Sequence, residues 1–312
     1  MKYLVTGGAG FIGSAVTDEL VRRGHRVVVL DDLSSGKEAN LAGVSGQVEF
    51  VRGSICDADV VRRACAEVDY VLHLAARTSV PRSVLEPEET NRVNVDGTLN
   101  VLIAARDTKV RRFVFAASSS AYGESPALPK VETMPALPIS PYGVTKLAGE
   151  VYAQVFGRCY GLENVCLRYF NVFGPRQDPN SPYSGVLSRF CTALLDGSQP
   201  VIFGDGEQSR DFNFVENVVG ATLGAAEASG ASGLVINIGT GGRFTLNQTL
   251  ELLGRISGKP AKARYDAARA GDIRDSQADI SLARRVLGYD PRVGFEEGLR
   301  RTWAWYRSAH TK

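Results

Sequence analysis

Tyr142 and Lys146 stand four residues apart in the run Pro141-Tyr-Gly-Val-Thr-Lys146. The residues that follow are apolar at Val144, Leu147, Ala148, Val151, Tyr152, Val155 and Phe156, the pattern of one helix face. The spacing therefore predicts a phenol and an ammonium one turn apart on the same side. A phenol ionises near pH 10, so a phenol acting as a base near neutrality needs that value lowered by roughly 3 units, about 4 kcal/mol of preferential stabilisation of the anion. The lysine and a second, bound cation could supply it. Alone, such a pair is more often a helix-start aromatic and a solvated charge, so what surrounds it decides.

Lys2-Tyr-Leu-Val-Thr6 reads as a short buried strand, and Gly7-Gly-Ala-Gly-Phe-Ile-Gly13 follows at once. Glycines at 7, 10 and 13 permit a tight turn, close backbone approach to a pyrophosphate, and N–H groups presented by the next helix. That helix is predicted from about Ile12 to Arg23, with its stop at Gly24. A second apolar run, Arg26-Val-Val-Val-Leu30, ends at Asp31, eighteen residues past Gly13. A carboxylate there can take the hydroxyls of an adenosine ribose and repel a 2′-phosphate. Strand, loop, helix, strand and acid in this order predict a dinucleotide site with NAD favoured, while nearby Lys37 keeps NADP open. An oxidised nicotinamide would be the second cation beside Tyr142, and the pair then reads as hydride-transfer machinery.

A chain of 312 residues, 44% hydrophobic, suits one large α/β domain with a smaller one attached. A net charge of +2 with no basic run argues against nucleic acid, and no apolar stretch approaches the roughly 20 residues of a membrane span. No secretory signal is evident. Cys56, Cys65, Cys159, Cys166 and Cys191 lack metal or disulfide spacing, and His25, His73 and His310 form no ligand set, so reduced thiols, a cytoplasmic location and no metal are expected. Strand-like runs at Asp69 to Leu74, Arg112 to Ala116 and Asn164 to Phe170 alternate with helical patterns, the signature of a doubly wound parallel sheet of Rossmann type. After Phe173 the rhythm breaks at the turn-rich Gly174 to Pro182. Residues 1–172 are expected to form the cofactor domain and 173–312 mainly a smaller α/β substrate lobe, with segments near 212–240, including the strand-like Val235 to Gly239, returning to the sheet.

These motifs, with His73-Leu-Ala-Ala76, Ser79-Val-Pro-Arg-Ser83, Asn94-Val-Asp-Gly-Thr98, Ser118-Ser-Ser-Ala-Tyr-Gly123, Arg168-Tyr-Phe-Asn171, Arg210-Asp-Phe212 and Arg269-Ala-Gly-Asp272, resemble the extended short-chain dehydrogenase/reductases. Within them the chain is similar to the nucleotide-sugar 4-epimerases acting on UDP-glucose and UDP-N-acetylglucosamine. The resemblance implies that Tyr142 accepts and returns a proton, that Lys146 holds the nicotinamide ribose and lowers the phenol pKa, and that Ser118 hydrogen-bonds the sugar oxygen being oxidised. Ser118 also follows the Val114 to Ala117 run, which should deliver it to the carboxyl edge of the sheet where such folds bind ligands. The resemblance implies an NAD site of Gly7, Gly10, Phe11, Ile12, Gly13, Asp31, Asp32, Ser34, Ser35, Gly36, Ser54, Ile55, Leu74, Ala75, Ala76, Asn94 and Tyr169, besides Tyr142 and Lys146. It implies a UDP-sugar site of Ser79, Ser118, Ser119, Ser120, Tyr142, Asn171, Arg210, Arg269, Asp272 and Ser276.

Departures inform as well. Ser54 stands where the family often has an aspartate for adenine, Asn217 replaces an acid, and Phe214 replaces a tyrosine. Related dehydratases carry Asp-Glu directly after the residue matching Ser118, and decarboxylating relatives carry Glu at the position of Ser120. Ser119 and Ser120 are hydroxyls and cannot act as general acid and base near pH 7. Epimerisation through a transient 4-keto sugar is therefore favoured over reduction, which would need NADPH to enter each cycle against Asp31. The alternatives are another nucleotide-sugar epimerase, a reductase, or a silent NAD-binding sensor or scaffold. The small Ser276 would leave space for an N-acetyl group. Apolar faces on the helix from Val144 and on one from Asp96 to about Arg106, carrying Leu99, Val101, Leu102, Ile103 and Ala105, predict a homodimer through four helices.

Overall fold

Alternation along each strand sorts side chains onto two faces. In β1 (Lys2–Thr6), Tyr3 and Val5 enter one core and Leu4 the other; in β2 (Arg26–Asp31), Val27 and Val29 oppose Val28 and Leu30. With β3 (Val48–Arg52), β4 (Tyr70–His73), β5 (Arg112–Ser118), β6 (Asn164–Tyr169) and a last strand, Leu234–Ile238, they form one parallel sheet. Its order is Leu234–Ile238, β6, β5, β4, β1, β2, β3. The order reverses between β1 and β4, which opens a crevice at the carboxyl ends of the strands. The computed structural model describes residues 1–178, 185–268 and 273–310.

Helices α1 (Phe11–Arg22) and Val215–Glu227 cover one face of the sheet. Helices α2 (Ala58–Ala64), α5 (Gly97–Asp107) and α6 (Pro141–Tyr160) cover the other. Short helices α3 (Val80–Leu85) and α4 (Pro87–Asn91) lead into α5. Expected as regular from Asp96, α5 is preceded by one π turn over Arg92–Asp96. No helix among the described residues is long and apolar enough to cross a membrane.

Apart from Leu234–Ile238, the strands beyond Phe173 among the described residues are two or three residues long: Val201–Phe203 pairs with Arg264–Asp266, and Ser209–Arg210 with Phe244–Thr245. An aromatic cluster fills the centre of this lobe, with Phe295 5.1 Å from Phe212 and 4.3 Å from Phe244. Phe214 belongs here, 5.6 Å from Phe173, where a phenol oxygen would be buried. Asn217 explains itself too: its amide donates to the Val293 carbonyl at 2.9 Å and accepts the Val293 N–H at 3.0 Å, which a carboxylate could not do.

The register of α6 matters most. Ser140 caps it by accepting the Gly143 N–H at 3.1 Å, Pro141 occupies the first turn, and Gly161 ends it in a left-handed conformation at φ 71°. Glu150, two turns beyond Tyr142, takes two bonds from Arg168 of β6 at 2.9 and 2.6 Å, both side chains being about 95% buried. A buried pair that loses one partner leaves a charge without compensation. Glu150→Ala is expected to cost about 3–5 kcal/mol in urea denaturation, and Glu150→Leu with Arg168→Met to recover most of it. A double variant as unstable as the single one would show that the loss is packing rather than charge.

Candidate active site

The crevice continues as a cleft of about 670 Å³ between the sheet edge and the second lobe. At its cofactor end Gly7 adopts φ 70°, and a Cβ on Gly13 would lie 2.0 Å from the Gly7 carbonyl, so helix and loop touch through backbone alone. Asp31 does more than its position predicts. Its carboxylate accepts the N–H groups of Ala9 at 2.9 Å and Leu33 at 2.8 Å, fixing the glycine loop, while burial pushes its pKa upward against those bonds. Each oxygen keeps a second lone pair for a ligand hydroxyl. Lys37, the cation that keeps a 2′-phosphate open, is paired with Asp178 at 3.1 Å.

Gly10, Phe11, Ile12, Asp32, Ser34, Ser35, Ile55, Leu74, Ala75, Ala76 and Tyr169 line the cleft with Gly7, Gly13 and Asp31. Three residues assigned to the cofactor do not. Gly36 sits behind Asp31, where a Cβ would be 2.9 Å from the carboxylate. Ser54 accepts the Cys56 N–H at 3.2 Å. Asn94, buried, accepts the Arg77 N–H at 2.7 Å and supports the wall from behind. Tyr169 reaches the cleft without its hydroxyl: Thr222 gives its own proton to the Val218 carbonyl, so the Tyr169 O–H donates to Thr222 at 2.7 Å, inside the core.

At the centre, Ser118, Tyr142 and Lys146 meet over the end of β5. Ser118 Oγ accepts from the Ser120 N–H at 3.2 Å and the Ser120 hydroxyl at 2.7 Å, so its own proton remains to be donated. Burial pushes the Tyr142 phenol up, and a hydrogen bond with Ser118 pulls it back. The resemblance implies that Lys146 lowers this phenol when a cationic cofactor is bound as well; in this structure the phenol's shift comes from burial and Ser118. The Lys146 ammonium donates to the Ala116 carbonyl at 2.7 Å, lies 5.0 Å from the Phe115 ring centre, and is itself brought down to about 7 by burial. One of its three protons is used on Ala116, and the others are available to hydroxyls of a bound ribose. The cradle of glycines, an acid at the second strand and this ammonium fit a dinucleotide.

Toward the second lobe, Ser79, Ser119, Ser120, Asn171, Arg210 and Ser276 line the cleft. Asn171 donates to Ser276 Oγ at 3.0 Å, and the Arg210 Nη1 donates to the carbonyls of Ser209 and Arg274 at 2.9 and 2.8 Å. Arg269 and Asp272 lie outside the described residues. Sequence reasoning missed Asp211, fully buried, whose carboxylate accepts four bonds: Thr240 N–H and hydroxyl, Gly241 N–H and Ala278 N–H, at 2.7–3.0 Å. It ties together the backbone around Arg210 and Ser276. The missed wall residues Arg176, Gln177 and Arg189 come from the turn after β6 and the Val186–Asp196 helix. Arg189 lies 5.4 Å from the Phe203 ring centre. Among the described residues no cluster of His, Cys, Asp and Glu could hold a metal.

The chain is similar to known proteins along nearly its whole length. A UDP-glucose 4-epimerase of Mycolicibacterium smegmatis is 42% identical over 312 residues, 99% of each chain. The crystal structure of the UDP-glucose 4-epimerase of Thermotoga maritima with UDP-glucose superposes with a TM-score of 0.95 at 42% identity, covering 99% of this chain and 100% of that one. The solved structure of a UDP-N-acetylglucosamine 4-epimerase of Methanobrevibacter ruminantium M1, in complex with UDP-N-acetylmuramic acid, gives 0.94 at 41% identity, covering 99% of this chain and 98% of that one. The model of the NAD dependent epimerase/dehydratase family matches residues 3–239. With its Rossmann-type sheet, its glycine cradle and its serine, tyrosine and lysine at one strand end, this chain belongs to that family.

Proposed function

We propose that the chain is an NAD-dependent UDP-sugar 4-epimerase interconverting UDP-glucose and UDP-galactose. The observation that carries this reading is the Ser118 and Tyr142 pair at the end of β5, flanked by hydroxyls at Ser119 and Ser120. Acid–base chemistry is thereby limited to one phenol, enough for oxidation and return at a carbinol but not for loss of water.

Bound NAD supplies the acceptor, and then the donor, of the C4 hydride. Ser118 donates its remaining proton to the C4 oxygen and orients it toward Tyr142. Tyr142, as the phenolate, takes the hydroxyl proton as the C4–H bond breaks, leaving a 4-keto sugar. The ketone turns over about its diphosphate, and Tyr142 returns the proton as hydride reaches the other face. Residues 1–172, completed by the returning strand, hold the cofactor, while 173–312 hold the nucleotide sugar. Arg210, Arg269 and Asp272 are assigned to the UDP portion, the arginines because a planar guanidinium matches phosphate oxygens. Lys146 would hold ribose hydroxyls with the protons that Ala116 leaves available, and its charge is assigned to lowering the Tyr142 pKa.

Ser276 favours an additional substrate pair. It lines the sugar side of the cleft with only a small hydroxymethyl group, so N-acetylhexosamine forms are proposed as substrates too. We also assign a homodimer. Val144, Val151, Tyr152 and Val155 form an outward stripe on α6, 38–52% exposed. On α5 one apolar face covers the sheet, with Val101, Leu102 and Ala105 buried in the core, and Leu99 and Ile103 remain at its margin. Two copies of α5 and α6 would cover this surface. Five free thiols suit a reducing, cytoplasmic compartment.

Tyr142→Phe should lower kcat by about 10²–10⁴-fold, the range of a general acid–base, with NAD affinity nearly unchanged. Activity close to wild type with the fold intact would refute the assignment. Wild-type protein should interconvert UDP-GlcNAc and UDP-GalNAc as well as the plain hexoses, and Ser276→Tyr should abolish the N-acetyl reaction selectively, because a clash discriminates by size. Equal slowing of both pairs would remove Ser276 from the pocket. Light scattering at micromolar protein should give the dimer mass, and Val151→Glu should give the monomer; a monomeric wild type would overturn the assembly.

A further inference from the structure

His73 ends β4, wholly buried, and takes no part in the proton transfer described above. Its Nδ1 lies 2.7 Å from Thr6 Oγ1 and its Nε2 2.9 Å from Thr98 Oγ1. Thr98 donates its hydroxyl proton to the Asn94 carbonyl at 2.6 Å. A hydroxyl has one proton, so Thr98 offers His73 only lone pairs and Nε2 carries the hydrogen. On the other side Thr6 Oγ1 accepts the Ala75 N–H at 3.2 Å and keeps its own proton for Nδ1. Burial, helped by the Lys146 charge, brings the imidazole down to about 3, so the ring holds a single proton.

The same bookkeeping extends in both directions. Asn94 Nδ2 donates to the Arg77 carbonyl and to Thr145 Oγ1, each at 3.0 Å, and Thr145 donates to the Tyr142 carbonyl at 2.9 Å. The donors run one way from the Ala75 N–H to Thr6, to His73, to Thr98 and on to the Asn94 backbone carbonyl; the Asn94 side-chain amide, held by the Arg77 backbone, then donates to Thr145, and Thr145 to the Tyr142 backbone carbonyl. One end of the chain is the cleft wall at Ala75 and the other is the first turn of α6. Only a group with an acceptor on one side and a donor on the other can link Thr6 to Thr98 in that direction, between the sheet and the helix over it, which neutral imidazole does and imidazolium does not.

We infer that His73, in its neutral Nε2–H form, is a positioning residue that sets Tyr142 against the cofactor wall through this directed chain. Two arms test it. With only three histidines in the chain, long-range ¹H–¹⁵N correlation on labelled protein should show one ring, absent in His73→Gln, in the Nε2–H tautomer between about pH 5 and 8. The opposite tautomer, or an imidazolium in that range, overturns the inference. The kinetic arm rests on the 4-epimerase reading, whereas the tautomer does not, so failure of one is distinguishable from failure of the other. His73→Phe should lower kcat about tenfold or more with KM for UDP-glucose within about twofold, and His73→Gln, which keeps a donor toward Thr98, should regain part of the loss. Wild-type kcat in the phenylalanine variant overturns the positioning role. Should that variant not fold, Thr98→Val interrupts the chain beside His73: it should change the tautomer balance and lower kcat, and an unchanged ring with unchanged kcat overturns the inference.

Discussion

The arrangement depends on how closely α6 lies on β5. A Cβ on Gly149 would come within 2.5 Å of the Phe115 ring, so helix and strand meet where the sequence has removed the side chain. From that contact three side chains at four-residue steps reach their partners: Tyr142 to Ser118, Lys146 to the Ala116 carbonyl, and Glu150 to Arg168. The first two partners are on β5 and the third on the neighbouring strand. A helix lifted by the thickness of a methyl group would lose all three at once. The chemistry at the sheet edge is thus held by a packing contact one turn below Lys146 and two below Tyr142.

What could be read from the sequence follows from what is local. The strands, the glycine loop, Asp31 and the helix carrying Tyr142 and Lys146 are encoded by periodicity and spacing within about thirty residues, and each falls close to its expected place. Partners distant in sequence were not legible. That Tyr169 spends its hydroxyl on Thr222, that Asp211 gathers Thr240, Gly241 and Ala278, and that Asn217 grips Val293 all depend on which segments the second lobe brings together. Nor does spacing reveal polarity. Lys146 sits where i and i+4 geometry puts it, but burial and a backbone carbonyl set its state rather than the phenol one turn away. Nor does hydrophobicity alone say which apolar residues of α5 meet the sheet: Val101, Leu102 and Ala105 do, while Leu99 and Ile103 stay at the margin.

Two buried carboxylates hold the backbone around the cleft. Asp31 bonds the Ala9 and Leu33 amides before any ribose does, and Asp211 takes four donors next to the arginine assigned to phosphate. Each lowers the cost of burying its charge by borrowing backbone N–H groups, so that loop geometry and local potential are fixed by one group. Replacing such an acid cannot separate a lost contact from a moved loop.

The last strand of the sheet, Leu234–Ile238, is supplied only after much of the second lobe has been traced. Until it docks, β6 is an edge with unpaired N–H and C=O groups, carrying Val165 and Leu167 toward one core and Cys166 toward the other. The two lobes are consequently not separable modules. A fragment ending after Phe173 would expose an adhesive apolar edge, and during synthesis the first lobe must wait for long-range pairing before it closes, the stage at which a chain of this topology is most open to aggregation.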